Sequence, residues 1–153
     1  MYQLDKTDLL ILDALQENCR LTTKELAARV HLSLTPVYDR VKKLEKEGVI
    51  KAYRAVLDYE KLNRGFGVYC NIKLKEINAK IALDFIDFVR QIPEVAECYN
   101  ISGDYDYLLK ILTPDMKHYQ SFIINTLGKF DSIAGIHSVF IMDTVKQDYK
   151  ISE

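Results

Sequence analysis

The chain has 153 residues, enough for one substantial hydrophobic core or two small ones. Its 21 Lys and Arg nearly balance its 22 Asp and Glu, so the total charge does not indicate a nucleic-acid or membrane partner. No apolar run approaches the roughly 18 residues of a membrane span, and the opening MYQLDKTDLL lacks the pattern of a secretory signal. The three cysteines show no CxxC spacing, which indicates reduced thiols. We therefore expect a cytoplasmic protein with no metal, no cofactor and no membrane partner.

Basic residues are concentrated in one short segment. Residues 1–57 hold ten Lys or Arg against eight Asp or Glu, whereas residues 58–153 hold eleven against fourteen. The N-terminal excess comes from one crowded run, which contains Arg40, Lys42, Lys43, Lys46, Lys51 and Arg54. The basic patch is therefore local, and the balanced total conceals it.

Capping residues and apolar spacing predict two helices in residues 5–30. The first should begin after the N-cap Asp5 and end near Asn18. The second should begin at a capping box, in which Thr22 caps the amide of Glu25 and Glu25 reaches back. The apolar positions that should be buried are Ile11, Leu12, Leu15, Leu26, Ala27 and Val30.

A third helix is predicted after a tight turn at His31-Leu32. Ser33 is placed to cap it, and Pro36 falls in its first turn, where a missing amide costs little. Gly48 should end this helix, and VIKAYRAVLD, residues 49–58, has the character of a strand. Three apolar residues at helical spacing should face inward: Val37, Val41 and Leu44.

Helices joined by a tight turn and followed by a strand pair are typical of a winged helix-turn-helix. The outward side and flanks of the third helix carry Thr35, Tyr38, Asp39, Arg40, Lys42, Lys43 and Lys46. A major groove accepts one helix, and such side chains read base edges or meet phosphates. The helix starts at Thr22 and Ser33 offer further amides to phosphate. We therefore predict that these nine residues contact double-stranded DNA.

Two other interpretations of the basic helix stay open. Such a face is often an ordinary solvated surface, and Arg40 has Glu45 and Glu47 nearby as ion-pair partners. Helix-turn-helix units also serve as protein-docking modules. Asp39 repels phosphate and counts against DNA, whereas a polar residue such as Tyr38 on the outward face favours it.

The rest of the chain predicts an α+β domain in the ferredoxin-like order β-α-β-β-α-β. Asn78 can cap the first of its helices, and Pro93 prevents that helix from extending. Thr113-Pro114-Asp115 is a second helix start, with Thr113 as the capping hydroxyl. Apolar alternation predicts four strands, at residues 66–74, 95–102, 107–113 and 136–146.

The predicted strands carry apolar residues on both faces, although two helices can cover only one. In the third strand, Tyr107, Leu109 and Ile111 alternate with Leu108 and Leu112. A second apolar face indicates an interface, so we predict a twofold dimer formed through the sheet. A dimer also suits DNA, because two recognition helices span half-sites about one helical turn apart.

A series of short motifs runs along nearly the whole chain. The N-terminal ones are Arg20, Glu25-Leu26-Ala27, Leu32-Ser33, Arg40-Val41, Leu44-Glu45 and Gly48-Val49-Ile50 with Tyr53. In the C-terminal part, the turn Gly103-Asp104-Tyr105-Asp106 follows. Together and in this order they resemble the Lrp/AsnC (feast/famine) family of transcriptional regulators. The resemblance implies a winged helix-turn-helix at residues 1–53, a linker strand at 54–64, and a ferredoxin-like sensing and oligomerisation domain at 65–153.

The resemblance also implies an amino-acid effector and dimers that assemble into an octamer, a tetramer of dimers. The effector would lie between sensing domains, close to the backbone of Ser102 and Gly103. Asp104 or Asp106 would pair with its α-ammonium group, and Tyr105 would wall its side-chain pocket. In the alternative interpretation, the acids only cap the turn and the tyrosine packs in the oligomer.

Enzyme functions find little support in the sequence. His31, His118 and His137 are scattered, and no GxSxG, Walker or dinucleotide motif occurs. The haem-pathway decarboxylases, which are similar to this family in fold, are one alternative, with His118 or His137 placed for substrate carboxylates. A freestanding amino-acid-binding module is another. The basic third helix argues against both, so we predict a DNA-binding regulator that is not an enzyme.

Overall fold

The computed structural model describes residues 3–147. The chain forms two compact units, one that includes residues up to Val56 and one that spans Leu57–Val145. Their helices and strands are α1 (Lys6–Glu17), α2 (Thr23–Arg29), α3 (Leu34–Lys46), β1 (Phe66–Leu74), α4 (Ala79–Arg90), β2 (Val95–Asn100), β3 (Tyr107–Thr113), α5 (Met116–Asn125) and β4 (Ile133–Phe140). A short 3-10 turn, Leu127–Lys129, follows α5. No helix within residues 3–147 has the length and apolar character that crossing a membrane requires.

Local capping starts the first two helices where the sequence predicts. The amide of Asp8 donates to Asp5 Oδ1 at 2.9 Å, and the amide of Asp5 donates back to Asp8 Oδ2 at 3.2 Å. At α2, the amide of Glu25 donates to Thr22 Oγ1 at 3.3 Å, and Glu25 Oε2 accepts from the Thr22 amide at 2.8 Å. Both reciprocal pairs satisfy amides that a helix start leaves unbonded.

The third helix starts at Ser33 as predicted, but the Ser33 side chain makes no capping hydrogen bond. Gly48, at φ 71°, follows its end, where the amides of Val49 and Ile50 donate to the Leu44 carbonyl at 2.9 and 3.1 Å. The three helices enclose a core of Ile11, Ala14, Leu26, Ala27, Val30, Val37 and Leu44, with Leu12, Leu15 and Val41 partly buried at its edge.

The strand expected after α3 does not form, and neither does the linker strand expected at residues 54–64. No strand lies between Lys46 and Phe66. Residues 49–58 contain β-forming side chains, but no strand of the structure pairs with them, and a strand needs a ladder partner. Residues 58–64 turn back on themselves, since the Arg64 amide donates to the Tyr59 carbonyl at 2.8 Å. The expected domain limits, 1–53, 54–64 and 65–153, remain predictions.

The second unit contains the predicted ferredoxin-like sheet. Its strand order is β2-β3-β1-β4, and every neighbouring pair is antiparallel. Helices α4 and α5 cover one face, where Phe85 and Tyr119 pack in one core with Val68, Cys70 and Ile72.

Several ends of these elements differ from the prediction. Strand β2 stops at Asn100, and β4 runs Ile133–Phe140 instead of 136–146. The ladder ends there because β1 begins at Phe66, and only the Ile141 amide still reaches the Gly67 carbonyl, at 3.1 Å. The cap of α5 is Asp115, whose Oδ1 accepts from the His118 amide at 2.8 Å, and Thr113 instead ends β3.

The sheet face opposite α4 and α5 is mixed in character, so the prediction of a second apolar face was only partly right. We call it the open face. Strand register places Tyr69, Asn71, Lys73, Glu97, Tyr99, Leu108, Lys110, His137 and Val139 on it. Its polar side chains make internal contacts, such as that of Lys110 Nζ with Glu97 Oε1 at 3.1 Å.

Candidate nucleic-acid interface and effector turn

The outward face of α3 brings together most of the residues predicted to contact DNA. Val37 and Leu44 are fully buried, which turns the opposite side of the helix to solvent. Thr35, Tyr38, Asp39, Lys42, Lys43 and Lys46 are all exposed on that side and its flanks. A 13-residue helix with one buried stripe and one polar, basic face is a shape that the major groove accepts.

Arg40 is placed differently from the other basic residues of α3. Its Nη1 lies 2.6 Å from Asp5 Oδ2 and 2.7 Å from Asp8 Oδ1, and its side chain is only 32% exposed. These two acids raise the pKa of Arg40, Asp5 first. The pKa of Asp5 is lowered, mainly by the backbone amide of Asp8 and then by Arg40. Arg40 therefore pairs with the two acids of the capping box that starts α1, which the sequence did not suggest.

Lys42 takes part in a chain of contacts that ends beyond α3. Its Nζ donates to Glu45 Oε2 at 2.8 Å and lies 5.9 Å from the centre of the Tyr38 ring. Tyr53 donates to the other oxygen of Glu45 at 3.1 Å. Lys42 and then Tyr53 lower the pKa of Glu45, whereas burial followed by Glu45 raises the pKa of Tyr53 to about 12. The sequence suggested Glu45 as a partner of Arg40, but it did not predict that Glu45 contacts Lys42 and Tyr53.

Two helix starts are predicted to contact phosphate, those of α2 and α3. They differ in whether a side chain of the protein is already bonded there. At α2, the carboxylate of Glu25 accepts from both the amide and the hydroxyl of Thr22, and the Thr22 amide is the main cause of its lowered pKa. A fixed negative charge at this helix start opposes a phosphate. The Ser33 hydroxyl at the start of α3 makes no capping bond and is exposed.

The turn between β2 and β3 separates the two acids that the sequence treats alike. Gly103 has φ 109°, a conformation that favours glycine, and Ser102, Gly103 and Asp104 are exposed. Asp106 is buried, and its Oδ2 accepts from the Leu74 amide at 2.7 Å. This contact ties the turn to the end of β1 and favours a structural role for Asp106.

Tyr105 lies on the open face against β4. Its ring is stacked on that of His137, with 5.9 Å between centres and 21° between planes. His118 lies instead on α5, the opposite side of the sheet, with its Nδ1 2.8 Å from Asp115 Oδ1. The two histidines considered for a decarboxylase site are therefore not brought together. In the described part of the chain, residues 3–147, no cluster of side chains is suited to hold a metal ion.

Comparisons with known proteins agree with both halves of this description. The winged helix-turn-helix DNA-binding family matches residues 4–51, and the Lrp/AsnC ligand binding domain matches residues 67–151. The Bkd operon transcriptional regulator of Pseudomonas aeruginosa is 38% identical over 145 residues, which cover 95% of each chain. The leucine-responsive regulatory protein of Escherichia coli K12 is 35% identical over 148 residues, which cover 97% of this chain and 90% of that protein.

Solved structures match over nearly the full length. A transcriptional regulator of Neisseria meningitidis in complex with L-Met has a TM-score of 0.93 and 35% identity, and the match covers 98% of this chain and 97% of that one. An AsnC family transcriptional regulator of Agrobacterium tumefaciens has a TM-score of 0.91 and 35% identity, with 97% of each chain covered. The chain therefore belongs to the Lrp/AsnC family of DNA-binding transcriptional regulators.

Proposed function

We propose that this regulator reads a specific DNA sequence with the outward face of α3, and that an amino acid bound beside the Gly103 turn changes its affinity for DNA. The observation that carries the first part is the division of α3 into a buried apolar stripe and an exposed polar, basic face. Because its target is DNA, we place the protein in the cytoplasm.

The chemistry of the α3 face suggests a division of labour. Thr35 and Tyr38, near the helix start, suit base edges, and Asp39 suits the amino group of a cytosine better than a phosphate. The lysines further along the helix suit phosphates, which set register and general affinity. The exposed Ser33 hydroxyl and the first amides of this 13-residue helix suit a further phosphate.

We further propose that the open face pairs two copies of the chain and that dimers assemble further, up to a tetramer of dimers. Exposed apolar side chains on this face, such as Tyr99 and Val139, favour an interface. A second copy would place two α3 helices for two half-sites on one duplex.

The effector proposal rests on the matched ligand-binding domain and on the Neisseria meningitidis regulator that was solved with L-Met. Of the two turn acids, the exposed Asp104 is better suited than the buried Asp106 to pair with an α-ammonium group. The backbone of Ser102 and Gly103 suits the α-carboxylate, and Tyr105 suits the wall of the side-chain pocket.

One titration tests both parts of this function. The full chain selects duplexes from a random-sequence pool, and the winning duplex is then titrated at fixed salt against excess random competitor. Parallel runs contain no amino acid, L-methionine or a pool of the other amino acids. We expect binding that survives competitor and shifts with at least one amino acid. Binding that no amino acid changes would remove the effector part, and the absence of any selected duplex would refute the DNA part.

A further inference from the structure

The first helix contains a fully buried carboxylate. Asp8 is 0% exposed, and one of its oxygens accepts from the Asp5 amide at 3.2 Å. Its other oxygen lies 2.7 Å from Arg40 Nη1. A buried carboxylate is costly unless a cation and hydrogen bonds compensate it, so Arg40 stabilises the charged form of Asp8.

Arg40 links two helices. It projects from the middle of α3, yet its Nη1 contacts both acids of the capping box at the start of α1, Asp5 at 2.6 Å and Asp8 at 2.7 Å. Arg40 is thus joined to Asp5, which is 35 positions earlier in the chain, and to Asp8, which is 32 positions earlier. The outward face of the same helix carries the proposed base contacts. The link therefore affects the orientation of the side chains that would contact bases.

We propose that Arg40 is a positioning residue for the recognition helix and makes no DNA contact of its own. The proposal replaces the DNA contact expected of Arg40 from the sequence, and it rests on α3 being the helix that reads DNA. Arg40 Nη1 already donates to Asp5 and Asp8, so a phosphate that drew Arg40 away from Asp8 would separate a buried carboxylate from a cation 2.7 Å away. With the link intact, α3 keeps a fixed orientation relative to α1, and Tyr38 is held at its working angle.

The variant Asp8→Asn distinguishes the two roles by the sign of its effect. The duplex selected by the wild-type chain and a random duplex of equal length are titrated with the full-length variant. If Arg40 met phosphate, removal of the competing carboxylate would tighten binding to both duplexes. If Arg40 positions α3, we expect binding to the selected duplex to weaken about tenfold, comparable to the loss of one base contact, with little change for the random duplex.

Charge removal on α3 provides the matched control. Arg40→Gln should weaken binding to the selected duplex while leaving the dependence of affinity on salt unchanged. Lys43→Gln, on the same helix, should instead lower the slope of log affinity against log salt by about 0.9, the value for one phosphate contact. An Arg40→Gln slope that falls as far as that of Lys43→Gln would overturn the proposal, as would tighter binding by Asp8→Asn.

Thermal unfolding tests the link without DNA. Asp8→Asn and Arg40→Gln remove the same contact, so the double variant should be little less stable than the worse single variant. Fully additive losses of melting temperature would overturn the link.

If Asp8→Asn does not fold, Asp5→Asn replaces it, because the Asp5 side chain is 53% exposed and tolerates the change more easily. If the wild type selects no duplex, the proposed function fails, and this stability cycle still decides whether Arg40 joins the two helices.

Discussion

Single side chains of α3 do not all present their charge to a ligand. Lys42 is 56% exposed, but its ammonium group donates to Glu45, which Tyr53 also holds. A phosphate must therefore compete with a fixed carboxylate for Lys42. We therefore expect Glu45 to lower the attraction of α3 for any DNA, whatever its sequence.

We predict that Glu45→Gln raises affinity for selected and random duplexes alike, by a factor of a few, because Lys42 becomes available to phosphate. Titrations at several salt concentrations should show a steeper salt dependence than in the wild type. Glu47→Gln is the matched control. It removes the same charge from an exposed residue two positions further along the chain. Equal gains from both variants would mean that only net charge matters.

We expect separate roles for the two acids of the turn, because Asp106 is buried and Asp104 is exposed. Asp106→Ala leaves the Leu74 amide without its acceptor, so we predict a loss of about 1–3 kcal/mol in the free energy of unfolding, measured by denaturant titration.

Asp104→Ala should leave stability unchanged and remove the response to the amino acid found by the DNA titration. If Asp104→Ala keeps that response, the ammonium contact lies elsewhere and the turn is structural.

At the scale of elements, we expect α3 to read bases near its start and to contact phosphate near its end. Tyr38 lies near the helix start, and Lys46 is its last residue. The buried stripe of Val37 and Leu44 holds both in one rigid helix, so each can be changed without moving the other. This separation allows specificity and general affinity to be measured independently.

We predict that Tyr38→Ala costs about 1–3 kcal/mol on the selected duplex and little on random DNA, as expected for a base contact. Lys46→Ala should weaken binding to both duplexes and lower the salt slope by about 0.9. Competition titrations with base-substituted duplexes give the first result and salt series the second. An equal loss from Tyr38→Ala on both duplexes would assign Tyr38 to the DNA backbone.

At the scale of the whole molecule, association is expected to depend on the open face of the sheet. That face mixes apolar side chains with charged pairs such as Lys110 and Glu97, so it suits a specific partner surface better than unspecific apolar contact. A second copy of the chain would supply the same groups in twofold arrangement.

We predict that Val139→Glu weakens self-association, because it would bury a charge in the proposed interface. Analytical ultracentrifugation over a concentration series measures the effect. Leu83→Glu is the control, since Leu83 is 61% exposed on α4, on the other side of the sheet, and Val139 is 47% exposed on β4. A normal assembly in Val139→Glu would place the dimer contact away from the open face.

The sequence by itself determined the order of the helices and of the four sheet strands, most helix starts and the face of α3 that is turned outward. These features depend on residues close in the chain. Asp5 with Asp8, Thr22 with Glu25, and Asn78 with Ile81 are each three positions apart. Apolar spacing likewise assigned Val37 and Leu44 to the core, because helical periodicity is a local property.

Only the tertiary structure decided which charges meet and where strands end. Arg40 had acids nearby in sequence, yet it pairs with residues 32 and 35 positions away because α1 packs against α3. Strand β4 stops where β1 can no longer pair with it, and residues 49–58 form no strand because they have no ladder partner. Asp104 and Asp106 look alike in sequence, but it is Asp106 that accepts a hydrogen bond from the Leu74 amide. Long-range contacts of this kind depend on the packing of whole elements, which local pattern does not encode.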